Sequence, residues 1–353
     1  MRIISLFSGC GGLDLGFVNA GFEIVYANDY DKATWETFEK NHEMSIDKRS
    51  ILDIKSDEIP DADGIVGGPP CQSWSLAGAM KGINDKRGRL FYEYIRVIKD
   101  KKPKFFLAEN VPGIISSTHL PEFKKIIELL SSLGYNVSYH LVDARNYGVP
   151  QERKRVIIVG YRNDLGIEFE LPDPTHTING ITLDKSPIKK WVSLKEAIGD
   201  LPAPKAAKDK NKANNVLGIA NNEYFTGSYS TIYMSRNRRR NWDEQSFTIQ
   251  AGGRHAPLHP SSSKMIKIGI DKMAFADKKP YHRRLSVREC ARIQTFPDSF
   301  IFYYKGVADG YKMIGNAVPV KLAEAIAIKI ASDLKGIKTL KGKIDIQILS
   351  QNK

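Results

Sequence analysis

Short apolar runs and stretches of helical period alternate through roughly the first 160 residues. Arg2–Phe7, Glu23–Ala27, Gly64–Gly67, Lys104–Glu109, Asn136–Asp143 and Arg155–Gly160 read as strands. Between them Gly12–Ala20, Tyr30–Asn41, Arg89–Lys101 and Pro121–Leu133 read as helices. In the third of these, Leu90, Tyr94 and Ile98 recur at i, i+4 and i+8 on one face. Repeated strand–helix units predict a doubly wound α/β fold whose mostly parallel sheet is covered on both faces. Ligands of such sheets bind beyond the carboxyl ends of the strands, in the loops.

After about residue 165 the texture changes. Leu171–Thr175 and Leu201–Lys212 are rich in proline, lysine and asparagine and read as surface connections. From about 213 to 283 the runs are short, irregular and β-like, with many Tyr, Asn and Arg, as in a second, smaller, irregular β-rich domain. From Pro319 to Leu334 the helical pattern returns, with Val320, Ala323, Ile326, Ala327 and Ile330 on one face. That helix is expected to pack back on the first domain, dividing the chain into 1–185, an inserted 186–304, and a returning 305–353. Gly336–Lys353 reads as a polar tail with no assignable role.

A length of 353 residues suffices for two cores. Hydrophobic residues at 42% and charged residues at 26% exclude a disordered or fibrous chain. No run approaches the roughly 18 apolar residues of a membrane span, and no basic-then-apolar leader opens the sequence, so a cytoplasmic place is expected. Cys10, Cys71 and Cys290 are too few and too scattered for a disulfide framework or a zinc site, and no metal is expected. The net charge of +13 points to a polyanion. Nucleic acid is preferred over a membrane because no amphipathic basic helix stands out.

Phe7-Ser8-Gly9-Cys10-Gly11-Gly12 joins the first strand to the first helix. Glycines there let backbone N–H groups approach a ligand, and a helix N-terminus favours an anionic group. Asp29, at the end of the second strand, stands where a carboxylate grips ribose hydroxyls, and Asp53 could accept from an adenine amino group. The spacing departs from G-x-G-x-x-G, so a nicotinamide cofactor fits poorly, and Cys10 is expected to be a small packed residue. The most informative stretch is Gly67-Gly68-Pro69-Pro70-Cys71-Gln72-Ser73-Trp74-Ser75. Two glycines and two prolines stiffen a turn that holds one thiol outside the sheet, and a thiolate is a strong nucleophile. Glu109-Asn110-Val111 ends the next strand and can face the same pocket; otherwise it is a surface loop cap. Arg153 and Arg155 in Gln151-Glu152-Arg153-Lys154-Arg155 alternate onto one strand face, able to bind a base oxygen or a phosphate.

In this order, with Arg284–Phe300 and Gly315-Asn316-Ala317-Val318, these pieces resemble the bacterial DNA (cytosine-5) methyltransferase family over nearly the whole chain. The resemblance implies S-adenosylmethionine as cofactor, held by Phe7, Gly9, Gly11, Asp29, Tyr30, Asp53, Ile54, Pro70, Leu90, Asn316 and Val318. It implies Cys71 as the nucleophile toward C6 of a cytosine flipped out of duplex DNA. Glu109 would bind N3 and the amino group, Arg153 would hold O2, Arg155 would support it, and the loop 72–88 would close over the base. Residues 1–185 and 305–353 would be catalytic and 186–304 would recognise the target. One branch of the family acts on transfer RNA; the arginine-rich insert favours DNA.

Ile232-Tyr233-Met234-Ser235-Arg236-Asn237-Arg238-Arg239-Arg240-Asn241-Trp242 packs four arginines into five positions beside aromatics. Arginine pairs two donors with guanine O6 and N7, or merely clamps phosphate. The stretch 227–242 with 250–260 is most similar to members specific for GGCC, which implies base contacts by Ile232, Arg236, Arg238 and Arg254. It also implies a restriction-modification role, with a possible cognate endonuclease on the same site. Ser286 and Glu289 are placed for a capping box, and Cys290 beside them is expected to be structural.

Overall fold

In a computed structural model the described residues are 1–70, 88–214 and 218–351, with side chains up to 337. Cys71 and the expected closing loop lie outside them, save Gly88. The first part of the chain forms β1 (Arg2–Leu6), α1 (Gly12–Asn19), β2 (Glu23–Asn28), α2 (Lys32–His42), β3 (Gly64–Gly67), α3 (Gly88–Lys101), β4 (Phe105–Asn110), α4 (Leu120–Ser132), β5 (Tyr135–Asp143) and β6 (Lys154–Arg162). There follow β7 (His176–Thr177), β8 (Lys189–Lys190), α5 (Leu194–Ile198), β9 (Lys205–Ala206), β10 (Glu223–Tyr224), β11 (Met265–Gly269), β12 (Lys272–Phe275), α6 (Val287–Ile293), α7 (Val307–Asn316) and α8 (Val320–Gln351).

The large sheet runs β2-β1-β3-β4-β6-β5. Its first four strands are parallel, and β6 lies antiparallel to both neighbours. Repeated strand–helix units hold up to β5 and then stop. The link from Asp143 to Lys154 is shorter than the roughly dozen residues a parallel crossover needs, so the chain can only fold straight back.

Both faces of the sheet are dry, which explains the continuous apolar runs Ile3-Ile4, Ile65-Val66 and Phe105–Ala108 in its central strands. Ile3, Val66, Phe105 and Leu107 face α1 and α8, while Ile4, Ile65 and Phe106 face α3 and α4. The Tyr94 hydroxyl on α3 donates within reach of Ile65 O (3.2 Å) and Leu107 O (2.7 Å), pinning helix to sheet. Leu322, Ala323, Ile326 and Ile330 bury the expected face of α8 against the first domain. The close approach needs Gly16 on α1, where a Cβ would stand 2.4 Å from Ala323 Cβ. The helix runs on to Gln351, through the stretch expected to be a polar tail. That stretch holds no proline, and its Lys, Leu, Ile and Gln are compatible with a continuing helix.

A third core lies in the second half, built from α5, α6 and α7 around Val287, Cys290, Phe296, Tyr311 and Ile314. Cys10 and Val320 belong to it, so it meets the sheet domain directly behind the loop after β1. Among its described residues the segment between β9 and α6 has two-stranded ribbons and short turns, as its texture suggested.

Candidate active site

The loop between β1 and α1 is built on three left-handed residues, Phe7 (φ 57), Gly9 (φ 57) and Gly11 (φ 88). At Gly11 glycine is obligatory, since a Cβ would lie 2.0 Å from His42 Nε2. His42 closes the loop from α2, its Nε2 standing 3.2 Å from Gly11 O and its ring stacked on Phe38. Burial pushes that imidazole down to about 4, so it is neutral at physiological pH and Nε2–H is assigned as the donor. Asp29 follows β2; one carboxylate oxygen accepts from Gly9 N and the other from Asp31 N, both at 2.7 Å. Burial raises its pKa, and those two amides draw it back.

Around this loop Tyr30 is 62% exposed, an aromatic ring with no core to serve. Asp53 and Asn316 are exposed, Pro70 is half-buried, and Ile54, Leu90 and Val318 are buried. A glycine-tight loop, an oriented carboxylate on Asp29 and a free ring on Tyr30 fit a nucleoside-bearing ligand. Cys10 is packed, as expected: its thiol is pushed up to about 12 by burial and by the Asp14 charge. Sequence reading passed over Asp14. It is fully buried, neither oxygen has a well-formed hydrogen bond among the described residues, and burial raises its carboxyl to about 7, opposed only in part by the nearby Ser5 hydroxyl.

Strand β3 delivers the chain to Gly67-Gly68-Pro69-Pro70, where the described residues end. Gly67 has no room for a side chain, since a Cβ would be 2.3 Å from Leu6 O. One on Gly68 would be 3.7 Å from Glu109 Oε2. Asn110 Nδ2 donates to Pro69 O at 3.0 Å, tying the end of β4 to the turn that leads into Cys71. Glu109, only 8% exposed, therefore stands beside that turn and is no surface cap. Its Oε1 lies 2.8 Å from Arg155 Nε as an ion pair, yet accepts no well-aligned hydrogen bond among the described residues.

The two arginines expected on one face separate. Arg155 lies within β6 and turns to Glu109. Arg153 precedes the strand, outside its alternation, and is 1% exposed. Its guanidinium donates to Ile249 O (3.2 Å), Gly315 O (3.0 Å) and Ala317 O (3.0 Å). Burial, with the Arg155 charge adding and Glu109 opposing, pushes it down to about 9, still cationic at neutral pH. Arg153 is a strut that joins β6 to the segments at 249 and 315–317. Among the described residues it makes no contact that would hold a base.

The four recognition candidates also divide. Ile232, Arg236 and Arg254 are exposed, and neither arginine has a hydrogen bond or ion pair among the described residues. Arg238 is 7% exposed. It donates to Tyr233 O (2.9 Å) and Ile232 O (3.2 Å), with its guanidinium 4.9 Å from the Tyr233 ring centre. Of the others, Arg239 donates to Ser262 O, and Arg240 pairs with Glu152 and Glu244 over the Phe247 ring. The arginine-rich stretch is thus largely self-satisfied. No sequence feature distinguishes Arg236 from its neighbours, since the distinction comes from where Tyr233 turns the chain.

A doubly wound sheet with a glycine-tight loop after β1 and a buried acid beside a Pro-Pro turn after β3 defines a methyltransferase-type catalytic domain. The chain belongs to the family of C-5 cytosine-specific DNA methylases, whose profile matches residues 1–332. It is 60% identical over 339 residues to the Type II methyltransferase M.MthTI of Methanothermobacter thermautotrophicus, covering 96% of this chain and 99% of that one. To the Type II methyltransferase M.NgoPII of Neisseria gonorrhoeae it is 50% identical over 338 residues, covering 95% and 96%. Among solved structures the fold is shared with the Entamoeba histolytica methyltransferase EhMeth: TM-score 0.66, 18% identity, covering 95% of this chain and 98% of that one. The protein is a DNA (cytosine-5) methyltransferase of the restriction-modification type that uses S-adenosylmethionine. Among the described residues no helix is long and apolar enough to cross a membrane.

Proposed function

We propose that the chain methylates C5 of the inner cytosine of GGCC in duplex DNA, with Cys71 as nucleophile. The observation that carries the chemistry is Glu109, buried beside the turn that leads into Cys71, with its Oε1 held 2.8 Å from Arg155 Nε. C5 of cytosine is a weak nucleophile. Addition of the Cys71 thiolate to C6 shifts the C5–C6 electron pair toward C5 and makes an enamine. N3 takes up a proton as the thiolate adds, delivered through the Glu109 carboxyl, which then holds the N3–H and accepts from the exocyclic amine. Arg155 donates to O2, the role first expected of Arg153, and Arg153 holds the surrounding segments in place. S-adenosylmethionine, when bound, supplies an electrophilic methyl group; Phe7, Gly9, Gly11, Asp29, Tyr30, Asp53, Ile54, Pro70, Leu90, Asn316 and Val318 are the residues that would surround it. Once C5 carries the methyl, loss of its proton restores the C5–C6 double bond and expels the thiolate.

The base must leave the stack before C6 can be reached. Residues 186–304 form the target-recognition part, with 1–185 and 305–353 catalytic. What supports GGCC is the resemblance of 227–242 and 250–260 together with the free guanidinium groups of Arg236 and Arg254, suited to guanine. Ile232 beside them offers an apolar contact, and Arg238, held by carbonyls, acts through a fixed edge. The protein works on the chromosome in the cytoplasm, paired with an endonuclease that cuts the same site. Bisulfite sequencing of a plasmid from expressing cells tests the specificity. Unconverted cytosines are expected only at the inner position of GGCC; protection in any other motif contradicts the reading.

A further inference from the structure

Arg96, on α3, spends its guanidinium on the stretch that follows Ser50. Nη2 donates to Ile54 O at 2.8 Å and more weakly to Ile51 O at 3.4 Å, and Nη1 donates to the Ser56 hydroxyl. Nε donates to Glu93 Oε2 at 2.6 Å, one turn back on the same helix, which fixes the plane of the fork. The Ser56 hydroxyl donates in turn to Asp100, so the stretch is fastened to α3 twice.

From Ile51 to Glu58 the chain makes two single turns and no strand. Ile51 and Ile54 are each 2% exposed and pack on Leu90, Tyr94 and Ile98 of α3. Asp53 between them is exposed, and its carboxylate has no hydrogen bond or ion pair among the described residues. An outward, unpaired carboxylate is thus carried on a turn whose carbonyls on either side, Ile51 O and Ile54 O, are held by one arginine. Ordering the turn before a ligand arrives removes that cost from binding. Leu90, also expected beside the cofactor, stands on the same helix, so α3 sets the spacing between Leu90 and Asp53.

We propose that Arg96 is a positioning residue for the choice of nucleobase in the cofactor, holding the turn so that the Asp53 carboxylate meets the 6-amino group of adenine. The inference rests on the reading that Asp53 lies at the adenine. Without the fork the turn loosens, and the carboxylate no longer waits where the amino group arrives.

The test measures, by calorimetry without DNA, the affinities for S-adenosylhomocysteine and S-inosylhomocysteine, alongside melting temperature. The inosyl compound carries a carbonyl in place of the 6-amino group. The wild type is expected to prefer the adenosyl compound by about tenfold or more, the worth of one hydrogen bond to a charged group. Arg96→Met should cut that ratio about fivefold or more, because the carboxylate is no longer pre-ordered. Arg96→Lys keeps a cation beside Glu93 but cannot reach both carbonyls, and should cut it partially. A residue serving stability alone would lower melting and weaken both ligands equally, leaving the ratio unchanged. Arg162→Met is the control. Arg162 donates to Lys102 O at 2.7 Å and pairs with Asp164 beside the amino end of β4, so its loss should spare the ratio. If Arg96→Met fails to fold, Arg96→Lys decides. An unchanged ratio in a folded Arg96→Met, or in Arg96→Lys when that variant decides, overturns the proposal, as does an equal loss in Arg162→Met. Asp53→Ala separates the two ideas. If it keeps the preference, or the wild type shows none, the reading of Asp53 fails and the proposal with it. If it loses the preference while the deciding Arg96 variant does not, the positioning alone fails.

Discussion

Arg153 and Arg155 are two residues apart and chemically identical, yet the fold gives them opposite work. Arg155→Met should abolish most turnover, because Glu109 loses its ion-pair partner and, on the proposed mechanism, the base loses a donor at O2; it should also lower stability, since a nearly buried carboxylate is left without its cation. Arg153→Met strands the carbonyls of Ile249 and Gly315 in a buried joint, Ala317 O keeping its bond from Gln294 Nε2, and should destabilise by about 2–5 kcal/mol, the cost of leaving buried acceptors unsatisfied. Paired turnover and urea-unfolding measurements check this, and a stable, inactive Arg153→Met would reverse the assignment. Asp14 makes a pH-dependent claim. Its folded carboxyl titrates near 7 against 3.8 for the free group, so the folded chain holds a proton that the unfolded chain releases. Stability is therefore lost as pH rises through that window and is constant above it. Asp14→Asn removes the loss, so its gain over wild type should grow between about pH 4 and pH 7, reaching on the order of 2–4 kcal/mol. A gain that stays flat across those pH values would show that Asp14 ionises freely.

At the scale of elements, α6 holds the second half of the chain to the first. Ser286 Oγ accepts from Glu289 N at 3.0 Å and Glu289 Oε2 accepts from Ser286 N at 2.7 Å, the reciprocal cap expected from the sequence. Less visible was the pairing of Glu289 with Arg283, two bonds of 2.8 Å in a buried setting. Arg283→Met leaves that carboxylate without its cation and should cost about 3–5 kcal/mol by urea unfolding. Replacing Glu289 by Leu in the same chain should recover part of it; no recovery would mean the pair is not the source. The contrast shows what sequence makes legible. Caps, apolar strands and helix faces are local, so the strands, helices and ends of the first 160 residues were readable nearly to the residue. The sense of β6 followed from loop length, which the pattern alone did not weigh. The Arg96–Ile54 bond joins residues 42 positions apart, and the His42–Gly11 closure joins residues 31 apart; no period marks either.

Over the whole molecule, the third core joins the second half of the chain to the sheet domain behind the loop after β1, and the net charge of +13 suits a polyanionic substrate. The candidate site was readable as motifs because Phe7–Gly12, Asp29, Gly67–Pro70 and Glu109 lie at strand ends, where this fold places chemistry. What stayed hidden was which of several similar arginines are free, a property of packing. The central claim is that Cys71 attacks C6 with Glu109 and Arg155 holding the base. Its most direct measurement uses a GGCC duplex with 5-fluorocytosine at the inner position, incubated with S-adenosylmethionine and analysed by denaturing electrophoresis and mass spectrometry. Fluorine cannot leave C5 as a proton does, so the wild type should become covalently joined to the duplex through Cys71, and Cys71→Ser should not. A covalent complex that forms equally with Cys71→Ser, or methyl transfer by the wild type onto the fluorinated base with no complex at all, would contradict the account.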